Sequence, residues 1–551
     1  MDNRQRTTAG LVQQWAQEFP DRIWLKERSG DEHFEWSWKS AESLAIAAWL
    51  ESEFGSQGMR VGILSRNRAH WFLADLAIAA SGNVSVPLFT TLTPNTVDYI
   101  LNFSEVQLLV LGESDNWEKV RDVVPDHVRI LCLPGVQGPE GSTRWEDILA
   151  AHAGQQPKHE CQPEDLLTIV FTSGTTGNPK GVLQSHDSML VPMKRIEKPA
   201  HMRKHSRFLS YLPLSHIAER QLVVMTSLNL CGEVSFNENL TTLVRDMGET
   251  RPNFFFGAPR VWEMLRQGVI AKFGSPEAFD KAYADDPEGM GLKIRTLLGM
   301  TDYDYLLTAA APTPASMIHW YERLGIQLLE GFGQTEAMAL ILNTREVRRI
   351  GSVGKPIEGV DVRISDVGEL LCKAAACSPG YYKQPEKTAE TFVDGWVYTG
   401  DKARIDDDGY IYITGRVKDY FKTIHGKFVA PVPIEDSFAA NENVEQLCLL
   451  GRGYSKTVMV CVPSALAQQK DRAQIEASLR ETVAAVNASV EKHARIGAVV
   501  ISSAPWTIEN GAMTPTLKIK RDVIEAQFGE RAQILATQAA EQGQIFVEFD
   551  S

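Results

Sequence analysis

The sequence predicts an α/β protein with a large N-terminal lobe of layered sheets and helices and a smaller C-terminal α+β domain. Short apolar runs alternate with helical patterns through the first part of the chain, which is typical of largely parallel sheets covered by helices. Near residue 416 this pattern gives way to a hairpin and then to a shorter segment with its own strand and helix patterns. A chain of 551 residues is long enough for more than one domain.

The N-terminal elements follow one another in a regular order. The apolar run Arg60–Ser65 predicts a buried strand, and His70–Ala80 predicts an apolar helix. Further strands are predicted at Val84–Leu88, Leu108–Leu111, Val128–Leu133 and Thr168–Thr172. The last of these strands ends in a loop that is rich in Ser, Gly and Thr.

The C-terminal part begins with a predicted hairpin. Trp396–Arg404 and Tyr410–Arg416 are strand-like, and the turn-forming residues Asp406–Gly409 separate them. We place the domain boundary just after the hairpin, so that residues 1–417 form the N-terminal domain and residues 418–551 the C-terminal domain. The junction is short and charged, which suits a hinge better than a long flexible linker.

Composition excludes several classes of protein. Hydrophobic residues make up 44% and charged residues 23%, the mixture of a folded protein rather than a disordered or coiled-coil chain. The net charge of −14 argues against a general nucleic-acid-binding protein. Seven scattered cysteines without a C-x-x-C pair favour reduced thiols and a cytoplasmic location over disulfides or zinc. The polar N-terminus and the absence of a run of about 20 apolar residues predict neither a signal peptide nor a membrane span.

The most informative segment for function is the loop Thr172–Gly181, with the sequence TSGTTGNPKG. Its glycines and hydroxyl residues allow the backbone to approach a phosphate closely, and Lys180 adds a positive charge. A Walker A loop has Gly before the lysine and Ser or Thr after it, whereas Pro179 and Gly181 stand there. The segment therefore predicts a phosphate-binding loop of another kind, with a simple Gly/Thr turn as the alternative.

This loop resembles the signature of the adenylate-forming (AMP-binding) superfamily, and six further segments resemble its motifs in the same order. They are YLPLSHIAER (Tyr211–Arg220), NFFFGAPRVW (Asn253–Trp262), GFGQTE (Gly331–Glu336), YTGD (Tyr398–Asp401), GRVKD (Gly415–Asp419) and TLKIKR (Thr516–Arg521). The first two of these six are similar to long-chain fatty acyl-CoA synthetases within the superfamily. Each motif alone is modest evidence, but seven in order are specific.

The resemblance implies ATP, Mg²⁺ and the co-substrate CoA as ligands, and a C-terminal domain that is mobile about a hinge at Lys418. It implies catalytic roles for Lys518, His216, Thr335 and Glu336, and it assigns the metal to Glu336 and Thr176. The residues implied to bind the nucleotide and cofactors are Thr172, Ser173, Gly174, Thr175, Thr176, Gly177, Lys180, Ala310, Ala311, Pro312, Gly331, Phe332, Gly333, Asp401, Ile413, Arg416, Lys418 and Gly426.

The chemistry of three positions can be weighed from the residue types alone. The hydroxyl of Thr335 and the carboxylate of Glu336 suit a phosphate oxygen and a hard Mg²⁺ ion, although a Thr-Glu pair at a helix start is also a common cap. The GFG sequence before them fails as a dinucleotide fingerprint, because the third glycine position is Glu336. His216 follows Ser215, which predicts Ser215 as an N-cap and His216 near the positive end of a helix dipole.

Other positions keep two interpretations open. Asp401 and Arg416 lie on opposite strands of the predicted hairpin, where they suit either ribose hydroxyls or a cross-strand salt bridge. Lys518 shows the K-x-x-R spacing to Arg521 of the family lysine, and Lys520 is its rival. Ala309–Pro312 resembles the adenine wall of the family with alanines in place of the usual glycines. The run Phe254–Phe256 either forms a buried strand or, as the resemblance implies, lies near the acyl tunnel of the family.

We interpret the chain as an ATP-dependent acyl-CoA synthetase that activates a medium- or long-chain fatty acid through an acyl-adenylate. Alternatives with the same motifs are an acyl-AMP ligase, an acyl-carrier-protein synthetase and an aryl-CoA ligase. A non-catalytic nucleotide-binding protein and a phosphotransferase are alternatives from other classes. The expected partners are the small molecules fatty acid, ATP and CoA, with no nucleic acid. Oligomeric state and peripheral membrane contact are left open.

Overall fold

The computed structural model describes residues 3–40, 42–54, 58–172, 178–508, 510–514 and 518–550. The chain forms two compact units. The first unit comprises Met1–Ala311, Met317–Val362 and Cys372–Val397, and the second comprises Pro312–Ser316, Arg363–Leu371 and Tyr398–Ser551. The predicted α/β class, with a large N-terminal part and a smaller C-terminal part, is confirmed.

The strands up to residue 405 are β1 (Ile23–Ser29), β2 (Glu32–Ser37), β3 (Arg60–Leu64), β4 (Val84–Leu88), β5 (Val106–Leu111), β6 (Arg129–Cys132), β7 (Thr143–Arg144), β8 (Leu166–Thr172), β9 (Lys180–Ser185), β10 (Arg207–Ser210), β11 (Glu233–Phe236), β12 (Phe254–Gly257), β13 (Tyr305–Thr308), β14 (Leu328–Gln334), β15 (Ala337–Leu342), β16 (Lys355–Pro356), β17 (Val360–Ile364), β18 (Glu369–Ala374), β19 (Phe392–Val393) and β20 (Trp396–Ile405). The later strands are β21 (Ile411–Arg416), β22 (Phe421–Lys422), β23 (Phe428–Val429), β24 (Val444–Leu450), β25 (Thr457–Pro463), β26 (Ile496–Ile501) and β27 (Phe546–Phe549). The strands predicted from sequence are present, with ends that differ by two residues at most.

The helices are α1 (Thr8–Glu18), α2 (Glu42–Phe54), α3 (Ala69–Ala80), α4 (Pro94–Phe103), α5 (Trp117–Val120), α6 (Trp145–His152), α7 (His186–Ile196), α8 (Ile217–Glu219), α9 (Thr226–Leu230), α10 (Leu243–Thr250), α11 (Pro259–Ala271), α12 (Pro276–Asp285), α13 (Pro287–Leu297), α14 (Ala315–Arg323), α15 (Pro385–Thr391), α16 (Pro431–Phe438), α17 (Arg472–Ser489) and α18 (Arg521–Gln542). Within the described ranges, none of these helices combines the length and the apolar character that crossing a bilayer requires.

The largest sheet of the first unit has seven strands in the order β7-β6-β5-β3-β4-β8-β9. Its pairs are parallel except β8 with β9, which are antiparallel. Helix α3 is largely apolar, and every one of its residues is buried, including His70 and Asp75. The antiparallel step at the sheet edge places the end of β8 opposite the start of β9, with Thr172 paired to Lys180.

Two further sheets of the first unit have the orders β10-β11-β1-β2 and β12-β13-β14-β15-β16. In the latter, β12, β13 and β14 are parallel, whereas β15 runs back antiparallel to β14. The three phenylalanines Phe254, Phe255 and Phe256 form β12 and are all buried. Phe255 stacks on Tyr211 with ring centroids 5.2 Å apart. The buried-strand interpretation of this run is confirmed.

The second unit contains a four-stranded sheet with helices on both faces. Its strands have the order β24-β25-β26-β27, and successive residues alternate between two cores. One core includes residues of α16 and α17, and the other includes residues of α18. The predicted hairpin is present as β20 and β21, with Asp401 opposite Arg416. Such alternation follows from the two-residue period of a strand that is covered on both faces.

A buried ion pair joins three elements of the first unit. The Arg220 guanidinium is fully buried, and its Nη2 donates to both carboxylate oxygens of Asp75 on α3, at 2.7 and 2.6 Å. Its Nη1 donates to Thr168 Oγ1 on β8 at 2.6 Å. Arg220 begins the π-helical turn Arg220–Met225, which joins α8 to α9. The pair therefore fixes the segment that follows His216 against the main sheet.

We predict that Arg220→Leu destabilises the protein by about 3–5 kcal/mol, because it leaves the Asp75 carboxylate buried without its partner. The double change Arg220→Leu with Asp75→Leu should recover much of that loss, since no buried charge remains. Thermal unfolding measures both effects. The control Arg121→Leu removes an exposed ion pair with Glu118 and should cost at most about 1 kcal/mol. Equal losses for Arg220→Leu and the control would contradict this account.

Candidate active site

The ends of β8 and β9 form the first part of the candidate site. Thr172 is the last residue of β8 and pairs with Lys180, the first residue of β9. The predicted phosphate contacts Ser173, Gly174, Thr175, Thr176 and Gly177 lie outside the described residues. Lys180, at the end of this loop, is described, and its pairing with Thr172 fixes its backbone position.

Thr335 and Glu336 occupy the tip of the hairpin between β14 and β15, where Gln334 pairs with Ala337. The interpretation of this pair as a helix cap is wrong, because a strand rather than a helix follows it. The buried amide of Gln184 on β9 donates from Nε2 to the Thr335 carbonyl at 2.6 Å. The Glu336 carbonyl accepts from the Ser378 N–H at 3.0 Å. The tip is therefore held against β9, the strand that begins at Lys180.

Tyr381 connects the two predicted site residues. Its hydroxyl donates to Glu336 Oε1 at 2.7 Å. The Lys180 ammonium lies over its ring, with Nζ 4.8 Å from the centroid, which is cation–π geometry. The tyrosine is 5% exposed and forms an antiparallel bridge with Val182 on β9. Sequence analysis missed Tyr381, since its spacing to Lys180 and Glu336 gives no local signal.

The predicted adenine wall follows β13. Ala310 has φ of +74°, a left-handed conformation in which a Cβ is strained. This explains why glycine suits the position better than the alanine found here. Ala310, Ala311 and Pro312 are exposed.

Gly331, Phe332 and Gly333 belong to β14. A Cβ on Gly331 would lie 2.7 Å from Leu342 Cδ2 and 2.9 Å from Leu307 Cδ1. Packing between neighbouring strands therefore explains the first glycine of this segment. Phe332 pairs with Ile341 on β15 and is half-buried.

His216 itself is the N-cap of α8, so the prediction of Ser215 as the cap is wrong. The His216 Nδ1 accepts from the Ala218 N–H at 3.2 Å. With Nδ1 as an acceptor, the neutral ring carries its proton on Nε2. The loop before it is held by Asn67, which donates to the Leu212 carbonyl at 2.6 Å and accepts from the Leu214 N–H at 2.9 Å.

Glu219 supports the same loop from the other side. It is 1% exposed, and Oε1 accepts from the Tyr211 N–H at 3.1 Å. Burial raises the pKa of Glu219 to about 8, although hydrogen bonds from Ser210 and from the backbone act in the opposite direction. Sequence analysis did not single out Asn67 or Glu219, although a carboxyl group three residues after His216 in an apolar segment is a readable signal.

In the second unit, Asp401 and Arg416 form the cross-strand ion pair that was the alternative to a ribose site. Arg416 Nη1 lies 2.9 Å from each Asp401 carboxylate oxygen. Burial raises the pKa of Asp401, while the charges of Arg416 and Lys518 lower it. Ile413 lies on β21 opposite Ala403, and Gly426, with φ of +70°, lies in the turn between β22 and β23.

The lysine segment leads into α18. Lys518 is exposed, and its charge acts on Asp401, which brings two predicted residues of the second unit into one electrostatic neighbourhood. Lys520 is the N-cap residue of α18, and Arg521 is half-buried and forms a 2.8 Å ion pair with Glu435. Lys418 is exposed in the turn closed by the Asp419 N–H and the Arg416 carbonyl at 3.1 Å.

Mg²⁺ prefers hard oxygen ligands and commonly uses one or two carboxylates together with substrate phosphates. In the ranges that the structure describes, no three His, Cys, Asp or Glu side chains gather into a metal site. The Glu336 carboxylate contacts the same tyrosine as Lys180, which fits a nucleotide-bound Mg²⁺ rather than a metal held by protein alone.

Two family models match this chain, and several known proteins are similar to it. The model of the AMP-binding enzyme family matches residues 12–382, and the model of the AMP-binding enzyme C-terminal domain matches residues 418–537. The long-chain-fatty-acid–CoA ligase FadD15 of Mycobacterium bovis is 29% identical, over 89% of this chain and 90% of its own length. The peroxisomal long chain acyl-CoA synthetase 7 of Arabidopsis thaliana is 27% identical, over 90% and 81%. The crystal structure of the anthranilate CoA ligase AuaEII with anthranoyl-AMP has a TM-score of 0.79 at 20% identity, covering 96% of this chain and 98% of its own.

We predict that Ala310→Gly stabilises the protein by about 1 kcal/mol, because glycine adopts a positive φ without steric cost. Ala310 is exposed, so little packing is lost. The exposed neighbour Ala311 is the matched control, and Ala311→Gly should be neutral or destabilising. Thermal unfolding of both variants checks the prediction. A loss of stability in Ala310→Gly would contradict the strained conformation.

A second prediction concerns the pH dependence of stability. With its pKa raised to about 8 from an ordinary value of 4.5, Glu219 keeps its proton in the folded protein but loses it in the unfolded chain at intermediate pH. Its contribution to stability therefore falls as pH rises between these values, by at most about 1.4 kcal/mol per pH unit. Glu219→Gln cannot ionise, so its Tm relative to wild type should increase from about pH 6 to about pH 8.

The exposed Glu140 provides the control for this experiment. Glu140→Gln should keep the same Tm difference from wild type at both pH values. If Glu219→Gln behaves in the same way, the carboxyl group of Glu219 is charged in the folded protein at neutral pH, contrary to our account.

Proposed function

The chain belongs to the AMP-binding enzyme family, and we propose that it is an acyl-CoA synthetase that activates a medium- or long-chain fatty acid with ATP. In the first half-reaction a carboxylate oxygen attacks the α-phosphorus of ATP, and the bond to the β-phosphate oxygen breaks. The products are acyl-AMP and pyrophosphate. In the second half-reaction the CoA thiolate attacks the acyl carbon, and AMP leaves with the former carboxylate oxygen.

The observation that supports this proposal most strongly is the contact of Tyr381 with both Lys180 and Glu336. Two segments that were assigned to phosphate and metal for separate reasons meet at one point of the first unit. A lysine ammonium and a hard carboxylate together suit a nucleotide triphosphate with its Mg²⁺. Charge neutralisation at the β- and γ-phosphates stabilises pyrophosphate as a leaving group.

The other predicted residues have roles that fit the same reaction. His216, with its proton on Nε2 in the neutral form, can donate a hydrogen bond to an oxygen of the reacting carboxylate or α-phosphate. Lys518 supplies a cation for the developing charge. Asp401 is paired with Arg416, but a carboxylate has about four acceptor sites, so it can also accept hydrogen bonds from the ribose hydroxyls. No covalent intermediate with the protein is needed, because positioning and electrostatic stabilisation lower the barrier.

CoA and a C-terminal domain that moves about Lys418 complete the proposal, with the boundary between residues 417 and 418. The preference for long acyl chains is supported by the names of relatives that are 29% and 27% identical over about nine-tenths of this chain. An aryl-CoA ligase is the second candidate, because the anthranilate CoA ligase AuaEII has the same fold. A panel of fatty acids of different length and aromatic acids, assayed with ATP and CoA, separates the two.

The identity of the product released from ATP tests the reaction class. With a fatty acid present, we expect pyrophosphate and AMP in equal amounts and no inorganic phosphate. Release of ADP or inorganic phosphate would contradict adenylation. ATP binding without turnover, with every acid tested, would indicate a non-catalytic nucleotide-binding protein.

We predict that Lys518→Ala lowers acyl-adenylate formation by at least about a hundredfold, because it removes a cation from the transition state. Thioester formation from preformed acyl-AMP should change much less. Lys520→Ala is the matched control and should affect neither step selectively. Single-turnover measurements of pyrophosphate and acyl-CoA check both variants. A selective loss in Lys520→Ala but not in Lys518→Ala would mean that the register of the lysine motif is wrong.

A further inference from the structure

Tyr381 lies where two functional segments of the first unit meet. Residues 380–382 run antiparallel beside β9: the Gly380 carbonyl accepts from the Leu183 N–H at 2.9 Å, and the Tyr382 N–H donates to the Gly181 carbonyl at 2.8 Å. The Tyr381 N–H donates to Thr388 Oγ1 at 3.0 Å. These backbone hydrogen bonds therefore fix the position of Tyr381 independently of its side-chain contacts.

The side chain then contacts two groups of opposite charge in different ways. The ring face contacts the Lys180 ammonium, and the hydroxyl donates to a single oxygen of Glu336, Oε1. A carboxylate held through one oxygen has its rotation restricted, which fixes the direction of the other oxygen. A cation held over an aromatic face is restricted in a similar way at little cost in hydration.

We propose that Tyr381 is a positioning residue for metal-bound nucleotide: its hydroxyl orients the Glu336 carboxylate toward Mg²⁺, and its ring positions Lys180 beside the phosphates. This inference rests on the proposed function, because it assumes that ATP and Mg²⁺ are the ligands of these two residues. It predicts that the hydroxyl and the ring of one side chain contribute separately, the hydroxyl to the metal and the ring to the phosphates.

The two contributions can be separated by substitution. Tyr381→Phe keeps the ring and removes the hydrogen bond to Glu336, whereas Tyr381→Leu removes both contacts. The neighbouring tyrosine offers a matched control, because the Tyr382 ring contacts Phe103, with centroids 5.8 Å apart, and the Lys383 ammonium at 5.2 Å. Tyr382→Phe therefore removes the same hydroxyl group from a position away from Glu336.

The measurement is the affinity for ATP of the full-length protein by calorimetry, once with Mg²⁺ and once with EDTA. In the wild type, Mg²⁺ should tighten ATP binding. Tyr381→Phe should lose most of this gain, on the order of tenfold for a hydrogen bond to a charged group, and keep the affinity for metal-free ATP. Tyr381→Leu should also weaken the binding of metal-free ATP. Tyr382→Phe should match the wild type in both conditions.

Steady-state kinetics supply a second measurement. The Mg²⁺ concentration for half-maximal activity should rise in Tyr381→Phe, while the KM for the fatty acid stays unchanged. The inference would be overturned if Mg²⁺ increased the ATP affinity of Tyr381→Phe as much as that of the wild type. It would also be overturned if Tyr382→Phe lost as much of this increase as Tyr381→Phe. If the wild type releases pyrophosphate but Tyr381→Phe keeps the full increase in ATP affinity with Mg²⁺, the inference alone fails. If the wild type binds no ATP, the proposed function fails with it.

Discussion

The backbone pairing of residues 380–382 with strand β9 is the constraint on which the geometry of the candidate site depends. Strand β9 also begins at Lys180 and provides Gln184, whose amide holds the Thr335 carbonyl. The hairpin tip that bears Glu336 is therefore fixed by one strand and by the segment paired beside it. A cation and a carboxylate meet there because three segments share one sheet edge.

Buried polar groups stabilise the second part of the first-unit site. The loop before His216 is held by the Asn67 amide and by Glu219, and the helical segment after it is anchored by the ion pair of Arg220 with Asp75. Each of these groups bonds to partners from other elements, so the histidine is held on both sides. This arrangement suits a group that must present one nitrogen in a fixed direction.

Sequence reasoning succeeded where local patterns determine structure. The alternation of apolar runs and helices predicted the parallel sheet, and the Asp-rich turn Asp406–Gly409 predicted the hairpin that pairs Asp401 with Arg416. It kept two interpretations open where tertiary pairing overrides a local preference. Thr335–Glu336 has the composition of a helix start, but pairing of β15 with β14 makes it a hairpin tip.

Other features of the site are not indicated by any local sequence pattern. Tyr381 reaches Glu336 across 45 residues of sequence, through a pairing that no residue spacing reveals. Alanine disfavours a positive φ, so the conformation of Ala310 is set by its surroundings rather than by its residue type. The choice of His216 over Ser215 as the cap depends on backbone geometry that both residue types allow.

The central claim, that a carboxylate is activated as an acyl-adenylate, can be tested by following its oxygen atoms. A fatty acid with a heavy-oxygen-labelled carboxylate is incubated with the enzyme, ATP, Mg²⁺ and CoA, and the phosphate-containing products are analysed by mass spectrometry. Attack of the carboxylate on the α-phosphorus predicts one labelled oxygen in AMP and none in pyrophosphate. Label in inorganic phosphate, or unlabelled AMP from a reaction that forms acyl-CoA, would contradict the account.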